Sequence, residues 1–357
     1  MASKDLLSVN ALPNRIRPMP RVIRLLVMAF SIGASVSAWH PIRALADGAK
    51  PKIRYIGKWD RQKSGVSDDL HAVCFLDAQN GWATGAANTI LHTTDGGATW
   101  SRLLERDPAG QAFDAIVFTS MKDGWASTAD NLLHTTDSGK SWQPASKLPT
   151  QVSNGFTGGG AVVGSTRFQL GPSHFSSTLF RSDDGGQTWT DAGDLQKNTY
   201  SEVTFVDATH GWVLREGTDE TLRCTEDGGK TWTAVSLPHA PHAAKMRFVN
   251  ATRGWMIGQD GSAMMVTADG GRTWKSQYTG QASWINLLDL SFPDDHHGFV
   301  VTDKGVIGTA DGGSTWRAML TGVTGLTAIG FPDNAHGWVV GSGGYINHYH
   351  VVAVPVK

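Results

Sequence analysis

Six carboxylates in this chain of 357 residues share one setting. Asp95, Asp137, Asp184, Asp227, Asp269 and Asp311 each sit inside the template [Ser/Thr]-x-Asp-x-Gly-x-[Ser/Thr]-Trp, whose copies end at Trp100, Trp142, Trp189, Trp232, Trp274 and Trp316. An aspartate can ligate a hard cation, or it can accept hydrogen bonds from backbone N–H groups of its own turn. A cation site needs several ligands converging on one point. Here each aspartate stands alone in its own copy, so the turn reading wins and the boxes are structural. Glycine at the turn supplies positive φ, the second hydroxyl residue bonds locally, and the tryptophan is expected to pack inward between adjacent sheets. Truncating such a tryptophan costs about 3–5 kcal/mol.

Other reactive groupings are sparse. His210, His297 and His336 precede Gly-Trp or Gly-Phe, where Asn80, Asp123 and Arg253 stand elsewhere, so they read as turn residues. His348 and His350 alternate on one strand face, and His239 and His242 lie in a Pro-rich connector, with no cysteine or carboxylate cluster to complete a metal site. No Ser-His-Asp set, Gly-x-Ser-x-Gly turn or phosphate loop is present. Catalytic residues, metals and cofactors are therefore all expected to be none.

The elements that hold these residues are counted by the boxes. Their spacings are 42, 47, 43, 42 and 42 residues, and a second signal, Phe-x5-Gly-[Trp/Phe], interleaves with them at Phe75, Phe118, Phe205, Phe248, Phe292 and Phe331. Together they define seven units. The third has a box but a degraded front half, Phe156–Gly164; the seventh has a front half but Tyr349-His350-Val351 in place of a box. Within one unit, Val203–Asp207, Gly211–Leu214, Thr221–Thr225 and Thr231–Val235 alternate as four strands separated by tight turns. The expected fold is all-β: a seven-bladed β-propeller of four-stranded antiparallel blades, residues 47–357, closed by N- and C-terminal segments that share a blade. Ile53–Trp59 resembles a fourth strand and competes with Val351–Val356 for the outer place in blade seven.

In such a ring the loops between second and third strands share a face with the interblade connections, opposite the boxes. From the second-strand aromatic to the box hydroxyl runs 10–13 residues, but in blade three Ala161 to Ser182 is 21. Ser165–Ser177 is accordingly an expected insertion. It presents Arg167, Phe168, His174 and Phe175, side chains of the kind that anchor interfaces. Arg102, Arg106 and Arg215 are placed on the same face as further candidates for partner binding.

Residues 1–46 read as a secretory signal: Arg15, Arg17, Arg21 and Arg24, then an apolar run to about Val36, then cleavage after Ala38 or Ala46. The rival reading is a retained membrane anchor. Loss of six basic residues and one acid with this leader takes the net charge from −1 to −6, which argues against nucleic-acid binding. Cys74 and Cys224 fall three blades apart, so two buried thiols are expected and no disulfide. The protein is expected to be exported, to the periplasm or beyond the cell, and to be monomeric.

The box is similar to the bacterial neuraminidase (BNR, Asp-box) repeat. Combined with Phe-x5-Gly-Trp over residues 53–350, it resembles the photosystem II stability/assembly factor family. That resemblance implies a non-enzymatic seven-bladed scaffold of the thylakoid lumen or periplasm. It further implies docking of a membrane-protein subunit through an arginine-rich patch on one face. The alternative is a sialidase-like or other glycan-binding hydrolase propeller, which carries the same boxes. A sialidase needs three converging arginines and a Tyr–Glu pair; the chain has five tyrosines, and none pairs with a glutamate in a loop.

Overall fold

The computed structural model describes residues 53–355, apart from 130, 146–159, 172–177, 194, 196–199, 216–220, 238–242, 259–263 and 278–285. Seven four-stranded antiparallel sheets follow one another along the chain. Blade one is Leu70–Phe75, Gly81–Gly85, Thr89–Thr93 and Ser101–Arg102; blade four is Tyr200–Phe205, Gly211–Arg215, Thr221–Thr225 and Thr233–Ser236. The short turns force each strand back beside its predecessor. The first strand of each blade lies innermost and the box hairpin outermost.

The boxes form as the residue types dictate. Thr93 Oγ1 donates to Asp95 Oδ1 at 2.8 Å and accepts the Gly97 N–H at 2.8 Å, while Asp95 also takes the Thr99 N–H at 2.9 Å and the Thr99 hydroxyl at 2.6 Å. The same four bonds recur around Asp137, Asp184, Asp227, Asp269 and Asp311. Gly97 sits at φ +84°, where a side chain is strained.

Between blades the packing is aromatic. The second-strand ring of one blade stacks face to face on the first-strand Phe of the next: Trp82 on Phe118 at 3.6 Å, Trp212 on Phe248 at 3.6 Å, Trp255 on Phe292 at 3.7 Å, and Phe299 on Phe331 at 3.6 Å. Trp338 on Phe75, at 3.4 Å, continues the series from blade seven to blade one. Each of these Phe rings lies over a glycine of its own second strand; at Gly81 a Cβ would come within 2.4 Å of the Phe75 ring. The second-strand indoles are thus wedged between sheets, and the box indoles join the same interblade clusters, as expected, with Trp189 buried edge-on to Trp125 of blade two. Trp100, Trp142, Trp232, Trp274 and Trp316 are half-buried, edge-on to the Phe of their own blade at 5.8–6.2 Å.

Blade three departs from the expected reading. Its first two strands are Gly160–Val163 and Thr166–Leu170, with Ala161 opposite Phe168 and Arg167 opposite Ser182. Phe168, not Ala161, is therefore the second-strand aromatic, and it stacks on Phe205 at 3.4 Å. The long insertion dissolves: Phe168 to Ser182 is 14 residues, close to the other blades. Arg167 occupies the glycine position and Val162 the Phe position. The guanidinium takes the place of the missing ring, lying 4.7 Å over Trp125 and pairing with Asp123 at 3.0 Å.

The ring closes as expected in blade seven, and both termini contribute. Tyr345–Pro355 is its third strand, and Ile53–Lys63 its fourth, paired from Ile53 opposite Pro355 to Lys63 opposite Tyr345. Trp59 stands edge-on to Phe331 at 6.3 Å, where other blades put the box tryptophan. Gln62 reaches into blade one, donating to Gly96 O at 2.7 Å.

Candidate partner-binding face and axial channel

On the face of the interblade connections, three charged side chains of blade one converge. Asp68 precedes the first strand, Arg102 ends the fourth and Arg106 follows it. Arg102 Nη1 and Arg106 Nη2 pair with the Asp68 carboxylate at 3.2 and 2.9 Å. Arg106, first, and Arg102 hold that carboxyl below its usual range. Arg102 also donates to the carbonyls of Leu104 and Ala87 and to Thr89 Oγ1, which fixes the cluster to the adjoining turn. One buried carboxylate serves two guanidinium groups, and Arg106, with 52% of its side chain exposed, presents its own at the surface between Glu105 and Asp107.

The other sequence candidates are not gathered there. Arg215 ends the second strand of blade four, at the same end of its strand but across the ring. Arg167 and Phe168 are interior, 3% and 1% exposed, and cannot anchor a partner; they hold blade three between its neighbours. His174 and Phe175 lie outside the described residues.

The channel holds charges that motif reading missed. First-strand positions three and one before the stacking Phe, or its equivalent, face the axis. In blades four to six they carry Glu202, Lys245 with Arg247, and Asp289 with Ser291, and these residues line a cavity of about 400 Å³. Burial pushes the Glu202 carboxyl up, against the pull of Lys245 and Arg247. Asp289 is buried and accepts the Ile329 N–H at 2.9 Å. Aligning the blades on their Phe residues would have exposed the pattern; the box template does not reach it.

The histidines behave as turn residues. His210, His297 and His336 each direct Nδ1 to the aspartate three residues earlier, at 2.8–3.1 Å. Asp294, Asp295 and His296 do bring ligand atoms within 4.8 Å of one another on an exposed turn of blade six. Asp294 is already occupied there by the N–H groups of His296 and His297. Both cysteines are free, as expected, but half-buried rather than buried. Among the described residues no helix is long and apolar enough to cross a membrane.

Residues 52–190 match the family model of the photosynthesis system II assembly factor YCF48. This chain is a seven-bladed propeller whose residues 52–190 resemble the photosystem II assembly factors. A second family model, that of sortilin (neurotensin receptor 3), matches residues 177–287. No curated protein matches the sequence. Among solved structures, YCF48 bound to a D1 peptide is 21% identical with a TM-score of 0.65, covering 82% of this chain and 96% of that one. YCF48 from Cyanidioschyzon merolae is 18% identical with a TM-score of 0.64, covering 82% and 98%. A xyloglucanase from Xanthomonas campestris is 16% identical with a TM-score of 0.63, covering 81% of this chain and 53% of the enzyme. At these identities the likeness is one of fold, shared by binding proteins and enzymes alike.

Proposed function

We propose that this chain is a non-enzymatic, exported scaffold that docks a protein partner, a subunit of a membrane complex under assembly. The observation that carries this reading is the Asp68–Arg102–Arg106 cluster, a fixed arginine pair with one guanidinium exposed, on a propeller whose front half matches an assembly-factor family. Loops on a rigid scaffold are where recognition concentrates, and arginine suits the carboxylate groups of a peptide partner. That a YCF48 structure holds a D1 peptide supports a polypeptide ligand. Export rests on the basic, apolar and small-residue order of the leader.

The test is recovery of co-purifying proteins from native membranes with the tagged chain, beside the variant Arg106→Gln. A membrane subunit is expected with the parent and a tenfold lower yield with the variant. Recovery of no membrane subunit would overturn the reading, and equal recovery with both would move the site off blade one. Turnover in a panel of fluorogenic glycosides would establish the rival hydrolase.

A further inference from the structure

In blades one and six the inward-facing positions of the first strand tie the blade to the next. Cys74 Sγ accepts the Phe118 N–H of the next blade at 3.5 Å; Ser291 Oγ accepts the Phe331 N–H at 3.2 Å; Asp289 accepts that of Ile329. Each stitches its blade to the next by offering an acceptor. Blade five places Lys245 and Arg247 at these positions, and neither side chain has an acceptor to offer. Both are exposed to the channel, and among the described residues neither makes an ion pair or a hydrogen bond. Their charges act on the Glu202 carboxyl, but among the described residues no hydrogen bond or ion pair fixes either side chain.

Their surroundings define what they would hold. Lys245 and Arg247 are two residues apart on one strand and so point the same way. Of the neighbouring acids, Asp289 accepts the Ile329 N–H, Asp114 pairs with His71, and burial pushes the Glu202 carboxyl up. The wall contributed by blades one, two and seven leaves open space at Ala72, Ala115 and Ala328 and also carries the His71–Asp114 pair. About 400 Å³ lies at the small end of the range that accommodates compact ligands.

We propose that the axial channel is a binding site for a terminal carboxylate on a slender apolar body, recognised by Lys245 and Arg247. The chemistry is met by the free C-terminus of a chain of small residues or by a short aliphatic acid. The assignment rests on the channel alone and does not depend on the role of the arginines of blade one.

Isothermal titration of the purified protein tests it with three probes: acetyl-trialanine with a free carboxylate, the same peptide as its amide, and hexanoate. The free acid is expected to bind at least tenfold more tightly than the amide. Lys245→Gln with Arg247→Gln is expected to remove that preference, with an unchanged melting temperature showing that the fold persists. Arg272→Gln, on the outer surface, is expected to leave it intact. Tighter binding of the tripeptide than of hexanoate assigns a chain end; the reverse assigns a free organic acid. Equal affinity for acid and amide, undiminished binding by the double variant, or no binding of any probe at millimolar concentration would overturn the proposal.

Discussion

At the scale of single residues, the box carboxylates tie stability to pH. The Ser141 hydroxyl, chiefly, holds the Asp137 carboxyl down at about 2, and the Thr231 hydroxyl does the same for Asp227. Each titrates lower in the folded chain than its ordinary 3.8. The stabilisation is therefore complete above pH 4 and is lost as pH falls from about 4 through 2. His348 works in a higher window. Burial against Trp338, with His336 and His350 beside it and Asp60 opposing, pushes it down to about 4 from 6.5. The unfolded chain then takes up the proton first, so stability declines from pH 6.5 to 4 and levels off below. Thermal unfolding followed against pH is expected to show both declines, and His348→Gln to flatten the upper one. A melting temperature that stays constant between pH 6.5 and 4.5 in the parent would remove His348 from the account.

At the scale of elements, blade three shows what the sequence carried and what it hid. Six box hairpins and six Phe-x5-Gly pairs were legible because each residue there answers a local demand: a positive φ, a short-range acceptor, or a ring lying over a bare Cα. In blade three that coupling is exchanged as a unit. With Val162 in place of Phe, no ring covers the second strand, so glycine is not required and Arg167 fits. A search keyed to Gly-Trp passes over Arg167-Phe168, counts from the wrong residue and manufactures an insertion. The channel charges escaped for a related reason: they sit between motif positions and acquire meaning only once seven strands face one axis. Arg167→Gly alone is expected to cost about 2–4 kcal/mol by uncovering Trp125 and taking the guanidinium from Asp123, which keeps only His134 among the described residues. Adding Val162→Phe restores the pairing used by the other blades and is expected to recover most of the loss, measured by denaturant unfolding. A double variant no more stable than the single one would refute the exchange.

At the scale of the whole molecule, a closed ring opens at its weakest seam, and two seams differ from the rest. The closing blade joins the ends of the chain, yet its fourth strand pairs over eleven residues and reaches blade one through Gln62. Among the described residues the seam between blades two and three has no such reinforcement. It replaces an aromatic stack with a desolvated guanidinium, leaves the Trp125 Nε1 and two Arg167 nitrogens without acceptors among the described residues, and opens into the channel cavity. Buried donors without partners each cost about 1–3 kcal/mol, which places the lower local stability here. Native-state hydrogen exchange is expected to show the amides of Gly160–Val163 exchanging at least tenfold faster than their counterparts in Leu70–Phe75. The gap is expected to narrow in the Val162→Phe/Arg167→Gly protein. Equal protection of the two strands, or earlier exchange in Ile53–Lys63, would place the point of opening at the closing blade instead.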